Sequence, residues 1–307
     1  MSFLEESLRA TGVELFAANP EHSVSVNQLD ELGWNELFAE EPKAAVGVLA
    51  EVQGAELGVS RLLELAVASQ LDGAVDVATQ GFVLPLRATS FGSLTELDGS
   101  VLLFGAPENV VVPIRTSTGI ELVKGLAVTE AVTGLDPHAQ LRRVRSVTSE
   151  SSTEIPLAVW ERAIALASLE LAEETLGVVT AELALAVDHV KNRHQFGVPL
   201  GTFQAVQHRL ADVYVAQAAA RSVTDLAWVD RDPALCAASL GAARKAFAAA
   251  RVHCHQVMGA MGFTWEHRQH WYLRRGLFLD VLLDHRPALA AAVDTVMTSS
   301  QRSEIWS

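Results

Sequence analysis

The sequence predicts an α+β protein that is mainly α: a reduced N-terminal helical domain, a small middle β domain and a C-terminal four-helix bundle. Three observations predict it. Apolar residues recur at helical spacing up to about residue 72. Short β-branched runs separated by Gly, Pro, Asp and Ser clusters fill residues 73–152. Helical periodicity then returns and holds through residues 153–299, leaving 300–307 as a tail. Half of the 307 residues are hydrophobic and a fifth are charged, which is the composition of a folded chain with a substantial core.

The first part carries helical spacing in Val48-Leu49-Ala50-Glu51-Val52 and Leu62-Leu63-Glu64-Leu65-Ala66. In the middle part Val75 and Val77 alternate with polar or small residues. Val101-Leu102-Leu103-Phe104, Val110-Val111-Val112-Pro113-Ile114 and Leu126-Ala127-Val128-Thr129 follow as strands of a compact antiparallel domain. From Pro156 onward Leu169, Leu176, Leu183 and Val190 recur every seven residues, with Ala172, Val179 and Ala186 three positions after the first three. Small residues on such a seam permit close helix approach. Lys191 and Arg193 are expected in the last turn of that helix, where positive charge complements the helix dipole, with Gly197 as a stop. A second helix is expected after Thr202 as N-cap, a third after Asp232-Pro233, and a fourth from about His270 through Ala292. Four long helices joined by short loops make a bundle.

The formal charge is 23 − 37 = −14, which argues against nucleic acid or an anionic membrane as partner. Cys236 and Cys254 lie in a helical stretch without CxxC spacing, so neither a disulfide framework nor a structural zinc site is expected. His253 and His255 sit two apart and point to different helix faces. His267 and His270 are three apart but lack a completing carboxylate or Cys, so all four are read as structural and no metal site is expected. Glu173-Glu174 reads as a solvated helix face. No window of uncharged sequence is long enough to span a bilayer, and Met1-Ser2-Phe3-Leu4-Glu5-Glu6 has no basic stretch followed by an apolar run; the expectation is a cytoplasmic protein.

The stretch Lys191-Asn192-Arg193-His194-Gln195-Phe196-Gly197-Val198-Pro199-Leu200, followed by Phe203-Gln204-Ala205-Val206-Gln207-His208-Arg209, carries the chemistry. It resembles the signature of the acyl-CoA dehydrogenase family, flavoenzymes that oxidise acyl-CoA thioesters to enoyl-CoAs. Gln256-Val257-Met258-Gly259-Ala260 resembles the family's "Q-x-x-G-G" loop, with Ala260 in place of the second glycine. Leu29-Asp30-Glu31-Leu32-Gly33-Trp34 resembles a turn of its first domain, and Gly134-Leu135-Asp136 with Leu141-Arg142-Arg143-Val144 resembles the close of its β domain. The likeness covers nearly the whole chain and is most specific after about residue 150.

The resemblance implies FAD shared across a subunit boundary, its ADP half gripped by Arg193, Gln195, Phe196, Gln204, Gln256, Gly259 and Ala260. The chemistry fits those residue types. A diphosphate needs a fixed cation with several donors, as Arg193 offers, and close backbone approach, as Gly259 permits.

The catalytic half is missing. Removing an α-proton as hydride leaves Cβ requires a carboxylate. The family's two positions for it fall on Leu283 and Ala167, neither of which can take a proton. Asp284 lies one residue from the first and Glu170 one turn from the second. Residues 86–101, with Arg87-Ala88-Thr89-Ser90 and Thr95-Glu96, lack the Thr-Glu-Pro loop that cradles the flavin ring in the family. The pattern therefore resembles the smaller, non-catalytic subunit of α2β2 actinobacterial enzymes acting on steroid side chains as CoA thioesters. That resemblance implies a full-length acyl-CoA dehydrogenase partner carrying the base, an acyl-CoA substrate and an electron-transfer flavoprotein as acceptor. Two alternatives stay open: a self-sufficient homomeric enzyme using Asp284, and a flavin-free scaffold of the same fold.

Overall fold

The computed structural model describes residues 3–18, 23–85, 100–102, 108–132, 134 and 136–283. The N-terminal part contains α1 (Phe3–Ala18), β1 (Ser23–Val24), α2 (Val26–Glu31), α3 (Trp34–Glu40), α4 (Leu49–Glu56), β2 (Val59–Ser60) and α5 (Leu62–Ala68). A π-helical segment, Lys43–Val48, runs directly into α4. Ser25 and Gln28 close a reciprocal capping box at the start of α2. Gly33 turns the chain at φ 72°, a left-handed conformation that favours glycine. Trp34 follows, buried, its indole Nε1 donating to the Ala45 carbonyl at 3.1 Å.

The middle part is a closed barrel in the order β3-β4-β7-β6-β5, from β3 (Gly81–Pro85), β4 (Ser100–Leu102), β5 (Asn109–Arg115), β6 (Gly119–Ala131) and β7 (Arg142–Pro156). Four of its pairings are antiparallel as expected, but β3 and β5 close the barrel in parallel, with Gly81 opposite Val110 and Phe82 opposite Val111. Closure removes the exposed edges that an open sheet would leave. Val83, Val110, Val112 and Val144 form a separate apolar cluster. Val75 and Val77 are buried but irregular, so the first strand begins only at Gly81. Strand β7 continues to Pro156, past residue 152, and passes straight into the bundle. Residues 86–99, where the flavin-cradling loop was sought, lie outside the described residues.

The bundle is built on α6 (Leu157–Asn192), packed against α7 (Gln204–Asp230), α8 (Pro233–Met258) and α9 (Gln269–Leu279). The seam of the sequence is the seam of the structure: Leu169, Leu176, Val190, Ala172, Val179 and Ala186 are buried and Leu183 is partly buried. The first half of α6 goes further, being buried on every face from Ala163 to Val179 because α4 and α5 cover the side that the bundle leaves open. Two glycines set the α4–α6 crossing. A Cβ at Gly54 would stand 2.0 Å from the Glu174 carbonyl oxygen, and one at Gly177 2.0 Å from that of Glu51.

This burial overturns the solvated reading of Glu173-Glu174, since both are nearly inaccessible. Glu173 accepts from Arg221 and from Trp228 Nε1 at 2.9 Å. Glu174 accepts from Gln53 Nε2 and Arg275 Nη1, each at 2.8 Å. Helix ends also differ from expectation in places. Arg193 caps α6 in an extended conformation, so Gly197 does not stop the helix. Phe203, not Thr202, precedes α7, and the Thr202 hydroxyl donates to the Pro199 carbonyl instead. Asp232 does cap α8, accepting from Leu235 N at 2.9 Å with Pro233 in the first turn. Helix α9 ends at Leu279, and Leu283 follows in a left-handed turn (φ 47°); residues 284–307 lie outside the described residues.

Candidate functional site

Beyond α6 the chain forms a tight hairpin, β8 (His194–Gln195) with β9 (Val198–Pro199). Its two central residues, Phe196 and Gly197, both have positive φ (54° and 83°), the requirement of a type I′ turn. Gly meets that conformation freely; a phenylalanine does not. Phe196 is also 91% exposed, and it meets Phe203 edge-on at 6.2 Å between ring centroids. A strained, solvent-facing aromatic is the kind of outlier that marks a contact surface. The Arg193 carbonyl accepts from Leu200 N at 2.8 Å, and Gln207 Nε2 donates to the Gly201 carbonyl at 2.8 Å, which ties hairpin to α7. Gln195 in β8 and Gln204, the first residue of α7, are exposed on this end of the bundle.

The second predicted segment ends α8. Gln256 is exposed in its last turn, and Gly259 caps it at φ 59°, ψ −144°, a conformation open essentially to glycine alone. Open space surrounds the position a Gly259 Cβ would take. Ala260 begins a 3-10 turn, Gly259–Phe263, and does not need the second glycine's freedom, because its own φ is not positive.

A surface cavity of about 320 Å³ joins the two segments. Asp188, His189, Asn192 and Arg193 line it from α6, and Met261 and His267 from the turn after α8. Of the seven predicted residues only Arg193 lines it; Gly259 and Ala260 immediately precede Met261, while Gln195, Phe196, Gln204 and Gln256 lie outside the lining. Among the described residues the Arg193 guanidinium has no ion pair. An unpaired guanidinium beside a bare glycine turn is a donor set that fits the diphosphate of a dinucleotide such as FAD.

Asn192 was quoted in the motif without a role, His267 was read as structural, and His189 was not picked out by the sequence. His189 could have been, since it stands four residues before Arg193 on the same helical face. Burial pushes its imidazole below the ordinary value, and His267 and Arg193 push in the same direction. Burial, and then His270, likewise lower His267. Asn192 Nδ2 donates to Asp188 Oδ1 at 2.9 Å, occupying the carboxylate that lines this cavity.

Neither of the two positions to which the family's base maps carries an ionisable side chain. Ala167 and Leu283 are buried and apolar. Glu170 is wholly buried, neither of its oxygens has a hydrogen bond among the described residues, and burial with the neighbouring Glu174 carboxylate raises it well above the usual range. Asp284 lies outside the described residues. Beside Glu174 and Arg275, a cavity of about 30 Å³ also lined by Gln53 and Ser60 has room for about one water. The described residues contain no group of three or more potential metal ligands, and none of their helices is long and apolar enough to cross a membrane.

Residues 157–282 match the family "Acyl-CoA dehydrogenase, C-terminal domain". The helical bundle is thus similar to the C-terminal domain of acyl-CoA dehydrogenases. The protein "Acyl-CoA dehydrogenase IpdE2" of Mycobacterium tuberculosis is 37% identical over 146 residues, covering 48% of this chain and 44% of that relative. The chain thus matches less than half the length of that curated relative. The "ChsE4-ChsE5 complex from Mycobacterium tuberculosis" has the same fold, with a TM-score of 0.72 at 18% identity over 97% of this chain and 98% of that one. So does the "Tcur3481-Tcur3483 steroid ACAD", with a TM-score of 0.72 at 19% identity over 95% and 97% of the two chains.

Proposed function

We propose that this chain is the non-catalytic subunit of an α2β2 FAD-dependent acyl-CoA dehydrogenase. The enzyme introduces an α,β double bond into an acyl-CoA thioester, and a steroid side-chain CoA ester is the substrate class. The observation that carries the reading is a contrast within one chain. The Arg193 guanidinium stands unpaired beside the Gly259 turn at one end of the bundle, whereas both positions for a base are filled by buried apolar side chains.

Bound FAD supplies the acceptor for the hydride that leaves Cβ as a carboxylate removes the α-proton. This chain's residues hold and orient. Arg193 neutralises the diphosphate, the Gly259 turn lets the backbone approach it, and Gln204, Gln256 and Gln195 offer neutral polar contacts on the same end of the bundle. Phe196 presents an apolar face to the cofactor or to the subunit that carries it. The full-length partner provides the carboxylate, the flavin-ring contacts and most of the thioester pocket, and an electron-transfer flavoprotein takes the electrons. The two solved assemblies described above have paired names, one of them a steroid ACAD, and they support the heteromeric reading.

Arg193→Ala tests the proposal against a flavin-free scaffold. Loss of a charge-assisted contact costs about 1.5–3 kcal/mol, or about 10- to 100-fold in affinity. The assembled complex carrying Arg193→Ala should therefore lose FAD on gel filtration where the unmodified complex retains it. Unchanged flavin content would sink the reading.

A further inference from the structure

The cavity beside Arg193 contains a second, uncharged donor. The Nδ1 atom of His267 accepts the backbone N–H of Gln269 at 3.2 Å, so the neutral ring carries its proton on Nε2. Gln269 is itself held in place. Its side chain is wholly buried, donates to Glu182 Oε1 on α6, and lies 3.2 Å from His255 Nδ1 on α8. Glu182 is wholly buried and His255 nearly so. Buried polar clusters of this kind are costly to assemble, and their use is to fix geometry. Here the cluster ties α6, α8 and the start of α9 together beneath the Gly259–Phe263 turn. Gly262 packs onto it, since a Cβ there would lie 3.1 Å from Met258 Cβ and 3.5 Å from Gln269 Cγ.

We propose that His267 is a binding residue for an ADP diphosphate in the Arg193 cavity, acting through a neutral Nε2–H, and that Gln269, Glu182 and His255 are positioning residues that set its tautomer and place. The inference rests on the reading of Arg193 as a diphosphate ligand. The groups that face His267 are Asp188, His189 and Arg193 from α6 and His270 from α9. Arg193 and Asp188 oppose one another in charge, and Asp188 is turned to Asn192. The C-terminal end of α6 also disfavours an anion, although Arg193 N and Asn192 Nδ2 occupy two of its last carbonyls. A single guanidinium in that setting benefits from further donors. Burial and His270 keep the His267 ring neutral at pH 7, the state in which one nitrogen accepts from Gln269 while the other donates.

FAD and coenzyme A both contain an ADP diphosphate, so both are titrated into the flavin-stripped native complex, FAD by fluorescence and coenzyme A by calorimetry. Four forms are compared: unmodified, Arg193→Ala, His267→Leu and His267→Gln. The expected result is a loss of FAD affinity of about tenfold or more in His267→Leu, consistent with a lost hydrogen bond to a charged group. His267→Gln, which can accept from Gln269 and still donate, should recover most of it. Coenzyme A affinity should not move, and the flavin-free complex should melt only slightly lower in His267→Leu, which leaves the Gln269 N–H without its acceptor. In the unmodified complex FAD affinity should stay level from pH 7 to 8.5; a tenfold fall per pH unit would mean an imidazolium and overturn the neutral-donor claim. Normal FAD affinity in His267→Leu alongside weakened binding in Arg193→Ala overturns this inference and leaves the Arg193 reading standing. No effect from Arg193→Ala overturns both. A loss confined to coenzyme A supports the diphosphate donor and overturns the assignment of this cavity to FAD.

Discussion

Replacing Arg275 with Met should cost this chain about 3–5 kcal/mol, the usual consequence of removing one partner from a buried ion pair. Arg275 is 2% exposed and touches all three parts of the molecule. Its Nε pairs with Asp136 beside the barrel, its Nη1 donates to Glu174 on α6 at 2.8 Å, and its guanidinium reaches the Gly58 and Leu57 carbonyls of the N-terminal part. Without it two buried carboxylates lose their cation together. Two features moderate the loss. Burial already raises Glu174, so without its cation it would take up a proton more readily; Asp136 keeps the His138 backbone N–H at 3.0 Å. The adjacent cavity, with room for about one water, provides limited rehydration. The lower end of the range is therefore expected. Urea unfolding of the unmodified chain, Arg275→Met, Glu174→Met and the double variant measures both the loss and the coupling between the two residues. The double variant should be more stable than Arg275→Met alone, because it no longer strands Glu174. A change under about 1 kcal/mol in Arg275→Met, or additive costs in the double variant, would refute the role given to this residue.

Acid pH should stabilise the fold. Burial is the main cause that raises Glu170, Glu173, Glu174 and Glu182 above the ordinary value of 4.5, and it pushes Glu64 up to about 7. Each such group binds its proton more tightly folded than unfolded. Its contribution is fully present below about 4.5 and is lost as pH rises through the raised folded value. Melting should accordingly be higher at pH 5.5 than at pH 8, and the reverse order would contradict the burial described for α6. Glu170→Met should stabilise by about 1–3 kcal/mol at pH 8 and by less at pH 5.5, because it removes a carboxyl with no hydrogen bond among the described residues; destabilisation at pH 8 would show that Glu170 has an ionic role. Gly177→Ala drives a methyl against the Glu51 carbonyl and should cost about 3 kcal/mol by forcing α4 from α6, read as a lower urea midpoint.

Periodicity and local chemistry made much of the architecture legible. The seven-residue spacing of Leu169, Leu176 and Val190, the Asp232-Pro233 cap and the Gly33-Trp34 turn are local signals, and the structure uses each of them. Glu173 and Glu174 were misread for a physical reason. A charged pair in a helix is ordinarily solvated, and the groups that donate to it, Arg221, Trp228, Gln53 and Arg275, come from distant parts of the chain. Their meeting is a property of packing, which one helical repeat does not encode. One clue was available: the glutamates stand in a run of Leu, Ala and Val dense enough to bury every face of the first half of α6. The parallel closure of the barrel by β3 and β5 is nonlocal in the same way. At the candidate site the motif pointed to Arg193 and the Gly259 turn. His267 was read as structural because no carboxylate or Cys completes a ligand set with it; its contact with the backbone of Gln269 is one that residue types alone do not reveal.

The central claim is a half-site that another subunit completes, and stoichiometry tests it most directly. Tagged chain is isolated from its native host with whatever co-purifies, companions are identified by mass, and FAD is quantified by absorbance against the moles of each chain. A longer companion and one FAD per pair of unlike chains is the predicted result. One FAD per chain with no companion would contradict it and make Asp284 the next residue to substitute.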